Sequence, residues 1–126
     1  MTQTLAYTQE LTIAMPVSNL DASLKWYTEK LGFELLYKLD EMGWAELKTS
    51  VPGVNMGLSQ VENHKPGGPT PTFGVEDIKV GRAALEAQAV KFDGETIVIE
   101  GMVALATFFD PDGNSLMLFE GLNESA

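Results

Sequence analysis

Residues 108–120 of the chain read FFDPDGNSLMLFE, in which two apolar runs flank the segment DPDGN. Pro111 fixes φ near the value needed at the second position of a tight turn, and Gly113 tolerates a positive φ. The side chains of Asp110 and Asn114 can hydrogen-bond to the nearby backbone of such a turn. This stretch therefore predicts a β-hairpin.

The residues before this hairpin show one pattern of elements twice. The first copy predicts a strand, a helix and three strands, over residues 11–17, 18–31, 33–39, 44–49 and 54–60. The second copy predicts the same order, over residues 70–75, 76–89, 95–100, 102–109 and 115–120. Apolar positions recur at one constant offset, with Val17 and Tyr27 matching Val75 and Leu85. The chain is therefore a duplicated βαβββ unit.

The duplication predicts an α+β fold with two tandem βαβββ modules, at about 8–60 and 70–121, joined by a linker at 61–69. A single module cannot bury both faces of its sheet, so we expect one domain over residues 1–126, with a curved eight-stranded mixed sheet around a cavity. The second helix should turn Ile78, Leu85 and Ala89 inwards. If Ala89 has a positive φ at the end of this helix, it would cost about 1 kcal/mol.

Composition excludes several classes of function. The chain of 126 residues has no cysteine, so a disulfide framework, a thiolate metal site and a cysteine nucleophile are ruled out. Its net charge of −10 opposes nucleic acids and anionic membranes, and favours cationic or neutral small molecules. No apolar run is long enough to span a membrane, and the first residues lack a secretory signal pattern, so we expect a cytoplasmic protein.

The sequence resembles the vicinal oxygen chelate superfamily, which includes glyoxalase I, extradiol dioxygenases and bleomycin-resistance proteins. The resemblance extends from Leu11 to Glu120 and depends on VSNLDASLKWY at 17–27 with LGF at 31–33, FGVEDI at 73–78, and the terminal hairpin. It implies paired βαβββ modules, a homodimer, and a metal held in the cavity by His and Glu side chains.

The same resemblance places the four metal ligands at Thr12, Gly57, Thr70 and Met117. None of these residues is a carboxylate or an imidazole, which Zn, Ni, Mn and Fe(II) sites require, so we expect neither a metal nor another cofactor. A shift in strand register would bring in only Glu10 as a good ligand. The one imidazole, His64, falls in the linker and is expected to be an exposed surface residue.

Strand alternation around these positions predicts the residues that line the cavity. They combine hydroxyl, amide, aromatic, thioether and carboxylate groups: Thr12, Ala14, Trp44, Glu46, Asn55, Gly57, Thr70, Thr72, Met117 and Phe119. Ala45 and Leu47 should face the first helix. Glu46 is the one candidate acid or base, acting either on a cationic ligand or as a general base, and the alternative is a rim carboxylate paired with Lys38 or Lys48.

These residues predict metal-independent binding of a small cationic or aromatic molecule, similar to that of bleomycin-resistance proteins. One alternative is an enzyme of the glyoxalase or dioxygenase type, either a metal-dependent lyase or a metal-free isomerase that uses Glu46. Another is a subunit whose fold only supports assembly. The expected partners are the small molecule and a second copy of the chain, with no nucleic acid and no membrane.

Overall fold

The computed structural model describes residues 8–122. Its strands and helices follow in the order β1 (Leu11–Val17), α1 (Leu20–Leu31), β2 (Glu34–Leu39), β3 (Trp44–Lys48), β4 (Val54–Gln60), β5 (Thr72–Gly74), α2 (Ile78–Ala87), β6 (Ile97–Ile99), β7 (Val103–Phe109) and β8 (Ser115–Gly121). One turn of 3-10 helix, Asp40–Met42, joins β2 to β3. The predicted α+β fold with two βαβββ modules is confirmed.

The strands form two four-stranded sheets, in the orders β1-β4-β3-β2 and β5-β8-β7-β6. In each sheet the first strand runs parallel to the fourth, and the other pairs are antiparallel. The prediction of one eight-stranded sheet is therefore wrong for hydrogen bonding within residues 8–122, because the strands are hydrogen-bonded in two sets of four. The chain divides into two compact units, Met1–Glu62 and Asn63–Ala126, with the boundary inside the predicted linker.

Helix α1 begins at an asparagine cap. The Asn19 side chain accepts a hydrogen bond from the Ala22 N–H at 3.0 Å. The Leu20 N–H donates to Gln60 Oε1 at 2.7 Å, so the last residue of β4 also satisfies the first turn. Gly32 ends the helix with φ of 73°, a conformation that glycine adopts without a Cβ penalty.

Helix α2 repeats this arrangement. The Asp77 side chain accepts from the N–H groups of Lys79 and Val80, and the Ile78 N–H donates to Glu120 Oε1 at 2.9 Å. The end of the helix differs from the prediction. The helix stops at Ala87, and Ala89 lies beyond it with φ of 65° and an exposed side chain, so Ala89 does not face the core.

The core of each unit lies between its helix and one face of its sheet. In the first unit this face carries Met15, Ala45, Leu47, Met56 and Leu58, and in the second Ala104, Ala106, Phe108, Leu116 and Leu118. The alternating residues of each strand point to the opposite face, which we call the open face of that sheet. No helix within residues 8–122 is long and apolar enough to cross a membrane.

Candidate functional site

A buried carboxylate, that of Glu46, lies on the open face of the first sheet. Its neighbours on β3, Ala45 and Leu47, pack under the helix, so alternation turns Glu46 to the other side. Glu46 is only 6% exposed. A carboxylate removed from water to this degree needs hydrogen-bond donors, because an unsatisfied buried charge is strongly destabilising.

All four strands of the first sheet supply a donor to Glu46. Its Oε2 accepts from the Thr12 hydroxyl of β1 at 3.0 Å and from the Asn55 amide of β4 at 3.1 Å. Its Oε1 accepts from the Trp44 indole N–H of β3 at 3.1 Å and from the Tyr37 hydroxyl of β2 at 3.5 Å. Every donor is electrically neutral, so the carboxylate is hydrogen-bonded while its negative charge is not cancelled.

Strand register explains why these groups meet. Thr12 lies opposite Asn55 in the parallel pair of β1 and β4, while Tyr37 and Gly57 lie opposite Glu46 from either side. Residues at these positions share the open face because the side-chain period of a strand is two. The sheet thus surrounds one carboxylate with the side chains of its neighbours.

Gly57 makes room for the indole of Trp44. A Cβ added at Gly57 would lie 2.0 Å from ring carbon Cζ2 of Trp44, a distance that no real contact reaches. The ring therefore lies against the backbone of β4, and Ala14, opposite Gly57 on β1, is also small. This placement lets the indole N–H reach Glu46.

The predicted alternative of an ion pair between Glu46 and a lysine is wrong. Lys38 is bound to Asp21 at 2.6 Å and to Asp40 at 2.8 Å. The hydrogen bonds to Asp21 and then Asp40 raise the pKa of Lys38 to about 12, so this lysine is committed elsewhere. Lys48 is exposed, and no ion pair to Glu46 occurs within residues 8–122.

The donor set does not fit the metal that the resemblance implies. Two of the four implied ligand positions have other contacts. The Thr12 hydroxyl donates to Glu46, and the Trp44 ring fills the space beside Gly57. In the part of the chain that is described, no group of three or more His, Asp or Glu side chains could hold a metal ion. Hydroxyls and a thioether do not replace those donors.

The remaining predicted site residues belong to the second unit. Thr72 lies opposite Met117, and the Phe119 ring lies against Gly74, whose Cβ would be 2.9 Å from it. Strand β5 starts at Thr72, two residues later than predicted, so Thr70 lies in the preceding loop. Its carbonyl accepts from the Thr72 hydroxyl at 2.9 Å. Within the second unit these residues form no polar cluster comparable to that at Glu46.

His64 and Glu10 do not belong to the cluster around Glu46. The prediction that His64 is an exposed surface residue is wrong, since it is half-buried and its Nε2 lies 3.0 Å from Asn114 Oδ1. Asn114 belongs to the predicted hairpin turn, where Asp110 accepts from the backbone N–H of Asp112 and of Asn114. Glu10 is exposed, just before β1. The turn needs no bound cation to explain its acidic residues.

Tyr37 is a site residue that sequence reasoning missed. The pairing of β2 with β3 is irregular between Leu35 and Tyr37, a β-bulge that inserts one extra residue. Counting alternation along β2 therefore gives the wrong face beyond the bulge. The sequence offered one signal for this role, an aromatic residue on the strand next to that of Glu46.

Comparisons with known proteins agree with the fold. The family model described as Glyoxalase/Bleomycin resistance protein/Dioxygenase superfamily matches residues 11–118. Curated proteins yield no match to this sequence.

Solved structures resemble the chain over nearly its whole length. An integron cassette protein, HFX_CASS4, from the mobile metagenome of the Halifax Harbour sewage outfall is 27% identical, with a TM-score of 0.77 over 88% of this chain and 97% of that one. TnmS3, an antibiotic binding protein from Streptomyces sp. CB03234, is 22% identical, with a TM-score of 0.75 over 95% and 99%. A superfamily member from Sphaerobacter thermophilus is 21% identical, with a TM-score of 0.77 over 94% and 99%.

Proposed function

This chain belongs to the Glyoxalase/Bleomycin resistance protein/Dioxygenase superfamily, and we propose that it binds a small organic molecule on the open face of its first sheet without a metal ion. The ligand carries an aromatic ring, a cationic group, or both. The observation that supports this proposal is the Glu46 carboxylate, held by neutral donors from all four strands.

The arrangement around Glu46 favours a cation for an electrostatic reason. Neutral donors stabilise the carboxylate but leave one negative charge in a poorly solvated place, where charges interact more strongly than in water. A ligand cation would supply the missing counter-charge. The chain's net charge of −10 acts in the same direction at longer range.

The indole of Trp44 suits the aromatic part of such a ligand. It is half-buried, and contact with the backbone at Gly57 fixes its position, so little side-chain entropy is lost when a ligand stacks on it. Gly57 and Ala14 are small, so the strand surface around the indole carries no bulky side chain at these positions. Thr12 and Asn55 offer further polar groups at the same place.

One structural relative points to the same class of function. TnmS3, with 22% identity and almost complete coverage, is an antibiotic binding protein. Antibiotics are often amphipathic molecules that combine rings with polar groups, and such molecules fit a site of this composition. The relative supports the class of ligand and does not identify one.

The test is a binding screen of aromatic amines, their neutral analogues and antibiotics on the parent and on Glu46→Gln. The glutamine should fold, because Thr12 and Asn55 can reorient to accept from its NH₂, while Trp44, which can only donate, keeps the amide oxygen facing it. We expect cationic ligands to bind Glu46→Gln more weakly by about 1–3 kcal/mol. Glu62→Gln removes an exposed charge from the same unit and serves as the matched control.

Two results would contradict the proposal. One is a screen in which no compound binds, or in which all bound compounds bind the parent, Glu46→Gln and Trp44→Leu alike. The other is elemental analysis that finds about one Ni, Zn, Mn or Fe per chain, lost together with an activity on chelation. The metal result would favour the metal-dependent enzyme. If the metal-free protein converted a substrate and Glu46→Gln did not, the isomerase would be favoured.

A further inference from the structure

The two oxygens of Glu46 are held unequally. Oε2 has two short hydrogen bonds, from Thr12 at 3.0 Å and from Asn55 at 3.1 Å. Oε1 has one short bond, from Trp44 at 3.1 Å, and one at 3.5 Å from the Tyr37 hydroxyl. Hydroxyl hydrogen bonds are ordinarily much shorter than this, so the contact with Tyr37 is the weakest of the four.

The bulge distinguishes the position of Tyr37 from those of the other donors. Tyr37 lies on β2, an edge strand of the first sheet, directly after the bulge, and is 49% exposed, whereas Trp44 and Asn55 are half-buried. Thr12, on the other edge strand, is also exposed, but its strand pairs with β4 in a regular register. A side chain at a bulged sheet edge can move without breaking the core.

We infer that the Tyr37 hydroxyl holds the place of a ligand's N–H donor at Glu46 Oε1 and is displaced when the ligand binds. This inference rests on the proposed function, and it makes Tyr37 a specificity-determining residue. Oε2, Thr12 and Asn55 hold the carboxylate in place while Oε1 exchanges one donor for another. The ligand class is then a protonated primary or secondary amine beside an aromatic ring.

The exchange favours some ligands over others. A protonated amine donates a charge-assisted hydrogen bond, which is stronger than the long neutral one from Tyr37. A quaternary ammonium ion has the charge but no N–H, so it gains no hydrogen bond at Oε1 and leaves Tyr37 where it is. The preference for N–H donors among cations therefore comes from Glu46 Oε1, and Tyr37 lowers that preference, because only a donor has to displace its hydroxyl.

The test uses Tyr37→Phe with two probes that share one charge, phenethylammonium and phenethyltrimethylammonium. Removing the hydroxyl removes the competitor, so we expect phenethylammonium to bind Tyr37→Phe about two- to fivefold more tightly than the parent. Phenethyltrimethylammonium should bind both proteins equally. Ser50→Ala, which removes an exposed hydroxyl of the same unit, is the control and should leave the affinity for phenethylammonium unchanged. NMR titration measures all affinities.

The outcomes separate this inference from the proposed function. If phenethylammonium binds the parent and loses affinity in Glu46→Gln, but Tyr37→Phe binds it no more tightly, the displacement is wrong and the proposed function stands. Equal tightening of both probes by Tyr37→Phe, or equal tightening of phenethylammonium by Ser50→Ala, also overturns the displacement. If neither probe binds the parent at millimolar concentration, the amine ligand class is wrong. The melting temperature of Tyr37→Phe should equal that of the parent, which excludes a folding defect as the cause of any change in its affinity.

Discussion

Single residues decide the chemistry of the open face in the first unit. Glu46 keeps a net charge because its partners are a hydroxyl, an amide, an indole and a phenol, and none of them carries a positive charge. Gly57 matters through what it lacks, since the absent side chain is the space that Trp44 fills. The chemistry of the site therefore depends on the uncharged donors around Glu46 and on the absence of a side chain at Gly57.

Gly57→Ala tests the contact between the indole and β4. The added methyl would meet the Trp44 ring at 2.0 Å, so the ring must move and its hydrogen bond to Glu46 must break. We expect the free energy of unfolding to fall by about 1–3 kcal/mol, the usual cost of overpacking, together with a change in indole fluorescence. Urea unfolding and emission spectra measure these effects.

Gly121→Ala is the matched control for this prediction. Gly121 also lies in a strand, and a Cβ there meets nothing within 4 Å. Its substitution should leave both readouts close to the parent. Equal effects of the two substitutions would show that the Trp44 ring does not depend on Gly57.

The helices of the two units begin with the same kind of hydrogen bond to the sheet. A residue near the end of the fourth strand, Gln60 or Glu120, accepts from the first N–H of the helix in its own unit. This bond ties each helix to the centre of its sheet and satisfies one of the four donors that a helix start leaves free. The two helix ends differ, since α1 stops at Gly32 and α2 is followed by Ala89 at positive φ.

Ala89→Gly should stabilise the protein. Ala89 has φ of 65°, where a Cβ crowds the following carbonyl, and glycine removes that crowding. We expect a gain of about 1 kcal/mol in the free energy of unfolding, measured by urea denaturation. Ala84→Gly, at an exposed position inside α2, should lose about the same amount, and a loss at Ala89 as well would contradict the assigned strain.

At the scale of the whole molecule, apolar side chains stand exposed on the edge strands. On β2 they include Leu35, Leu36 and Leu39, and on β6 all three residues are exposed. Edge strands also present unpaired backbone groups, which proteins commonly cover. A second copy of the chain, which the family resemblance implies, would cover such surface.

We therefore predict a homodimer in solution. Light scattering across micromolar concentrations should return about twice the chain mass of 13.7 kDa. Dilution should shift the mass downwards only at concentrations near the dissociation constant. A constant mass of 13.7 kDa over the whole range would contradict the prediction.

The sequence by itself determined the fold class, the two modules and nearly every element. The reason is that these features are local: alternation marks β1, β3 and β4, the helical spacing of apolar residues marks α1, and the DPDGN segment marks the turn between β7 and β8. Alternation also indicated that Glu46 and Trp44 leave the helix-facing side of β3. Each of these inferences needs only residues that are neighbours along the chain.

Only the tertiary structure decided what surrounds Glu46. Its four donors lie between 2 and 34 positions away in sequence, and strand register across the whole sheet brings them together. Register depends on bulges and on strand partners, so the bulge before Tyr37 hid that residue, and the parallel pairing of β1 with β4 placed Thr12 opposite Asn55. The same long-range pairing laid the Trp44 ring against Gly57, because a contact between strands is fixed by the sheet and not by the residues beside it.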